Sequence, residues 1–170
     1  LVESQFIKNT SKTDVDLSEM FTVYNIYLEK AKNYILRQGK TQFGEGGLGH
    51  DVIRAIATYG AMPESAYSGL REGERTLNHA KVVRNLQQYL DTILKVTPVS
   101  TKWVAGFTRL LNENLGTPPA EFEYNGKKYT PKSFATEVLK FNSNDYVNIT
   151  SFTHHPFYAP FIIEVPDNFS

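Results

Sequence analysis

The sequence predicts an α+β, mainly helical fold, and three observations predict it. Apolar residues recur at three- and four-residue steps over 17–37, 77–96 and 100–115. A single Asn-Gly pair between aromatic residues, at 122–129, marks a tight hairpin. Two short runs near the end, 146–152 and 161–165, alternate as strands do.

The elements follow in order. Leu1, Val2, Phe6 and Ile7 fit one face of a helix, and 10–14 reads as a polar turn. Asp16 precedes Leu17 with Glu19 three residues on, which has the form of a capping box. The helix it opens carries Leu17, Met20, Phe21, Tyr24, Tyr27, Leu28, Ala31 and Ile35, more than one stripe, so burial on two sides is expected. Gly39 is its expected left-handed stop.

Within 42–49, the six positions 44–49 hold four glycines, which excludes a helix interior. A helix resumes near His50 and stops at Gly60, and 62–69 reads as an ordered loop. Val82, Val83, Leu86, Leu90, Ile93 and Leu94 define a helix that Pro98 ends. Ser100 is placed to cap a further helix carrying Trp103, Val104, Phe107, Leu110 and Leu111, which Gly116 and Pro118-Pro119 stop. The pair should form an antiparallel helical hairpin. After the Asn125-Gly126 turn, Thr130-Pro131 gives a cap followed by proline at the first helical position, opening a short helix to about Leu139.

Composition narrows the function. The 170 residues carry 18 basic and 18 acidic side chains, so no bulk positive charge is available to hold nucleic acid. Eleven Phe, ten Tyr and one Trp argue against disorder. No apolar run approaches the roughly 20 residues that cross a bilayer. There is no Cys, hence no disulfide, thiolate metal site or thiol nucleophile within these residues. The chain opens on Leu1-Val2 without an initiator Met or a signal-peptide pattern, and we expect an excised fragment.

Few side chains offer chemistry. His154-His155 has no partner at metal-site spacing, and successive strand residues face opposite ways, so a structural role is expected. His50 and His79 stand singly at helix starts and read as surface or packing residues. Lys127-Lys128 reads as a solvated hairpin edge that discourages strand-to-strand association, and Trp103 with the spaced phenylalanines reads as core. The triplets at Asn9, Asn148 and Asn168 say little about glycosylation. The glycine-rich bend is the candidate, because backbone without side chains admits close approach of another backbone. A helix-entry turn needing glycine torsions is the plain alternative.

Several stretches together resemble a known family. Asp16-Leu17-Ser18-Glu19, then Gly46-Gly47 with a helix after it, then Tyr59-Gly60 and 62–67, are similar in order and spacing to the papain-like cysteine peptidases. The insertion over 71–144, with 127–134 and 150–158, resembles the bleomycin hydrolase and aminopeptidase C branch. The resemblance implies three parts: an incomplete papain-like helical lobe over 1–70, a helical insertion with a short hairpin over 71–144, and the first strands of a second lobe over 145–170. It implies an aminopeptidase-type reaction, in which a Cys thiolate attacks a peptide carbonyl and the acyl-enzyme is hydrolysed. The implied nucleophile, a Cys followed by Trp, lies about two turns before Leu1, and the implied His and Asn lie beyond Ser170. The chain alone should be inactive, with no catalytic residue of its own.

Carried over residue by residue, the substrate-binding positions are Gly46, Gly47, Leu48 and Gly49, whose backbone would pair with an extended peptide. No cofactor or metal is implied. The implied partners are a peptide substrate, the remaining segments of the same polypeptide, and further copies in a ring-shaped homo-oligomer; neither nucleic acid nor membrane is expected. A non-catalytic helical interaction module and a natural pseudo-peptidase stand as alternatives.

Overall fold

The computed structural model describes residues 2–10, 15–71, 73–147, 149 and 155–161. Six α-helices and one two-stranded sheet make an α+β, mainly helical architecture among them. The helices are α1 (Val2–Thr10), α2 (Glu19–Leu36), α3 (Gly49–Tyr59), α4 (His79–Leu94), α5 (Trp103–Leu115) and α6 (Pro131–Ser133). The strands are β1 (Phe122–Tyr124) and β2 (Lys127–Tyr129).

Helix α2 starts two residues later than the capping pattern at Asp16 predicts. Residues 16–18 are instead held extended: Leu17 bridges Pro63, the Ser18 amide donates to the Met62 carbonyl (2.9 Å), and the Glu64 amide donates to the Asp16 carbonyl (2.8 Å). Ser18 therefore becomes the cap, its Oγ accepting from the Phe21 amide (3.0 Å). Tertiary pairing across 46 positions outweighs the local signal. At the other end the stop expected at Gly39 falls one residue earlier: Gln38, at φ +54°, is the left-handed residue after Arg37 and donates to the Ile35 carbonyl, and Gly39, at φ +75°, follows and donates to the Tyr34 carbonyl.

Helices α4 and α5 run antiparallel. Asn85 reaches Asn114 (3.2 Å) and Tyr89 reaches the Trp103 carbonyl (2.9 Å), so the pairing descends one helix as it ascends the other. Asn78 caps α4, accepting from the Lys81 amide. Ser100 does not cap α5, which starts at Trp103; the Ser100 carbonyl accepts the Trp103 amide and its Oγ accepts the Lys102 amide, forming a turn ahead of the helix. The hairpin pairs Phe122 with Tyr129 and Tyr124 with Lys127 around Asn125 and Gly126, both at positive φ.

The helix expected after Thr130 changes pitch. Thr130 caps α6, but 134–138 continue as a π-helix. Phe134, fully buried, lies between the rings of Phe122, Tyr124 and Tyr129 at 5.1–5.9 Å. Tyr146 and Val147, expected to open a strand, do not pair: the Tyr146 amide closes a 3-10 turn on Ser143 and its ring stacks on Phe141 (5.4 Å). Ile149 and Phe161 are in no strand, and the rest of both expected strands lies outside the described residues, as does most of the turn expected at 10–14.

Two buried clusters organise the packing. One joins α1, α3, the 61–67 loop, β1 and the π-helix around Phe6, Ile56, Met62 and Phe134. The other joins α2, α4 and α5 around Ala31, Leu86, Leu90, Phe107, Leu111 and Leu115. Helix α2 contributes to both, through Phe21 on one side and Tyr27 on the other, as its two-sided apolar pattern predicts.

Candidate functional site

The glycine-rich bend joins the two clusters and is tied down at three points. At its entry Phe43 is buried, its ring against Tyr27 (5.9 Å), Tyr34 (6.0 Å) and Phe107 (6.3 Å). In its middle Lys30 of α2, itself buried, donates through Nζ to the Gly44 carbonyl (3.0 Å) and to the Gly46 carbonyl. At its exit the Asp51 carboxylate accepts the Leu48 amide (2.9 Å), satisfying an N–H at the start of α3.

The charges around these anchors are compensated. Burial acts to raise the Asp51 pKa, but the Leu48 amide, Arg54 and His50 outweigh it and hold the carboxyl below its ordinary value. Burial lowers the Lys30 pKa, and nearby Asp51 partly restores it. Arg54 bridges Asp51 (3.2 Å) and Glu29, tying α3 to α2. Glu29 also accepts the Tyr59 hydroxyl (2.7 Å), and burial together with Glu29 pushes that phenol up to about 12.

Beside the bend lies a groove. A recess of about 300 Å³ sits between α2 and the bend, walled by Val23, Ile26, Tyr27, Lys30 and residues 45–49. A second recess of about 440 Å³ continues from it toward α1, bounded by Val2, Leu17, Ile53 and Ile56. Thr22, Val23, Gly49 and Val52 belong to both, so the two form one apolar channel over the α2–α3 face. The start of α1 stands at its far end, where Glu3 accepts the Leu17 amide (2.9 Å).

All four sequence-predicted site residues line the first recess. Gly46, Gly47 and Gly49 are exposed and Leu48 is half-buried. Among the described residues no hydrogen bond engages the Gly47 N–H or C=O. Gly49 is the first residue of α3, and Leu48, extended, is its cap. A Cβ built on Gly49 meets nothing within 4 Å and one on Gly47 meets only Asp51 Oδ2 at 3.8 Å, and neither has a positive φ. The torsions of these two positions therefore do not demand glycine, which counts against the helix-entry alternative. Pocket chemistry here is mainly apolar and backbone-directed, with the Lys30 ammonium and the Asp51 carboxylate already engaged by the bend and Glu45 also in the wall.

The remaining candidates are structural. His50 sits at the start of α3, 3.6 Å from Asp51, and His79 is exposed at the start of α4. His155 stacks on Phe161 (4.1 Å), while His154 lies outside the described residues. Among the described residues no three His, Asp or Glu side chains are disposed to hold a metal ion, and no helix is long and apolar enough to cross a membrane. Sequence reasoning missed Lys30 and Asp51. Asp51 had a signal, an acid in the first turn of a helix. Lys30 had none, because its acceptors lie 14 and 16 residues away across a bend of unknown path.

No protein-family model and no curated protein matches the sequence. The fold is similar to the crystal structure of PepW from Lactobacillus rhamnosis HN001 (DR20), determined as the selenomethionine derivative, with a TM-score of 0.58 at 19% identity. That likeness covers 85% of this chain and 41% of PepW, so the chain spans about two fifths of the protein it matches. At this identity it is the fold that is shared.

Proposed function

We propose that the chain is part of a papain-like cysteine peptidase of the bleomycin hydrolase and aminopeptidase C type, a branch to which we also assign PepW. In this reading the channel over α2 and α3 is one wall of a peptide cleft. Gly46 and Gly47 offer backbone to an extended substrate, and Leu48 and Gly49 border a side-chain recess. The reactive thiol, its His and its Asn come from sequence outside the 170 residues, and peptide bonds near a free N-terminus are the substrate.

The observation that carries the reading is the exposed, hydrogen-bond-free Gly47 backbone beside an apolar channel, at the position the family resemblance assigns to substrate. The fold-level likeness to PepW supports it. The catalytic part rests on the motif resemblance alone.

Extending the reading frame tests it. A Cys-Trp pair about two turns before Leu1 is expected. The protein made from that frame should cleave aminoacyl and peptidyl reporter substrates, lose activity on thiol alkylation, and leave the 170-residue chain silent. A frame that continues upstream without a Cys at that place sinks the peptidase and leaves a pseudo-peptidase or an interaction module.

A further inference from the structure

A bend with four glycines in six positions has little stiffness of its own, because each glycine loses more freedom on ordering than any other residue. What orders this one is unusual. Lys30 is almost fully buried on a helix face, where lysine is found only when paired. Its partners are two backbone carbonyls, Gly44 and Gly46, rather than a carboxylate. Hydrogen bonds from an ammonium are stronger than those between neutral groups, so one side chain sets two peptide planes at once. Two residues further on, Asp51 sets a third through the Leu48 amide. Gly47 falls between the cationic and the anionic anchor, exposed and unengaged.

We propose that Lys30 is a positioning residue for peptide binding: by fixing the Gly44 and Gly46 carbonyls it holds the Gly47 backbone ready to pair with an extended peptide main chain. The inference rests on the proposed peptidase reading and deepens it. Lys30 touches no substrate atom; it acts through the bend. Its benefit is pre-organisation, since a bend already ordered in the free protein spares the peptide that ordering cost at binding. The recognition is main-chain directed and therefore tolerant of substrate side chains.

The test uses the protein made from the complete reading frame, in wild-type form and as Lys30→Met, Lys30→Arg and, as a control on the same helix, Lys32→Met at an exposed position. Two readouts are taken together: limited proteolysis by a Glu-specific endopeptidase, which can cut after Glu45 only when the bend opens, and kcat and KM on a peptide long enough to reach the bend. Lys30→Met should speed cleavage after Glu45 on the order of tenfold, with cleavage elsewhere unchanged, and raise KM on the order of tenfold with kcat little altered. Lys30→Arg, which keeps the cation, should restore both in large part, and Lys32→Met should match wild type. An unchanged cleavage rate in Lys30→Met overturns the anchor. Faster cleavage with unchanged KM overturns its role in binding. A wild-type protein that cleaves no peptide substrate brings down the peptidase reading itself, while the cleavage rate after Glu45 still reports whether Lys30 orders the bend.

Discussion

The two buried clusters differ in how they end. Phe107, Leu86, Leu90, Leu111 and Leu115 are all at 0% exposure, and three helices close over them. Around Phe6, Ile56 and Met62 the interior is as apolar, yet its margin opens into the channel bounded by Val2, Leu17 and Ile53. The glycine bend is anchored in the closed cluster through Phe43 and exits onto the channel at Gly49. The division thus runs between the shut centre of one cluster and the open margin, not between two sides of α2, because Tyr27 of the closed cluster and Val23 packed against it also wall the first recess. The exposed bend can be held in one shape because its root, Phe43, is packed against that shut centre at Phe107.

The largest expected effect tests that division directly. Leu111→Ala should cost about 2–5 kcal/mol, because a closed cluster cannot collapse around the lost atoms. Val52→Ala, on the channel and 42% exposed, should stay within about 0.5 kcal/mol. Urea unfolding of both variants measures the difference. Equal losses would mean that the channel wall is as much a structural core as the helical hairpin.

Gly60→Ala is the next. Gly60 ends α3 at φ +88°, and a Cβ there would lie 2.2 Å from the Pro131 carbonyl carbon. That atom is backbone, fixed by the Ala61 amide donating to the Pro131 carbonyl (3.0 Å). Overpacking alone should cost about 1–3 kcal/mol, with the positive φ adding to it. The thermal midpoint should fall accordingly, and an unchanged midpoint would show that α3 and α6 are free to separate.

Much of this division was legible in the sequence. The α4–α5 hairpin was readable because its apolar positions repeat at helical spacing and its ends carry their own stops, Pro98 and Gly116. The Asn125-Gly126 turn was readable because few residues accept its torsions. The start of α2 was misread, since the Asp16 pattern is local and the pairing of Leu17 with Pro63 is not. The π-helix was also hidden, because it depends on where Phe134 meets three rings brought from the hairpin. At the site, the glycines announced themselves by composition and order, whereas Lys30 was visible only once the bend had a path.

Alkaline pH should weaken both sides as well. Tyr27 in the closed cluster is pushed up to about 12 by burial and by Glu45, and Tyr59 is raised to the same value. Tyr24, Tyr34, Tyr67 and Tyr146 are raised as well, burial being the first cause in each. In the unfolded chain tyrosine ionises near 10, so above that pH the unfolded state releases protons that the folded state retains. Stability is fully present below about pH 10 and is lost as pH rises toward 12. Lys30, shifted downward, acts in the opposite sense, one group against six. Urea midpoints at pH 9, 10 and 11, read beside phenolate absorbance, should fall monotonically. A flat profile would place these hydroxyls in water.

The smallest expected effect on stability is the most informative about function. Gly47→Ala adds a methyl group where the nearest heavy atom, Asp51 Oδ2, lies at 3.8 Å, an ordinary contact, and the backbone there needs no positive φ. The folded state should lose no more than about 0.5 kcal/mol, and an Ala in place of Gly also reduces the freedom of the unfolded chain, which acts in the stabilising direction. If Gly47 is present only to shape the entry of α3, nothing measurable should follow. If a peptide main chain lies against it, the same methyl group stands between two backbones that must approach to hydrogen-bond distance, and KM for an extended peptide should rise on the order of tenfold in the full-length protein while its unfolding midpoint stays put. A variant that keeps its stability and also keeps its KM would leave the glycine bend without a part in recognition, and the channel beside it would need another occupant.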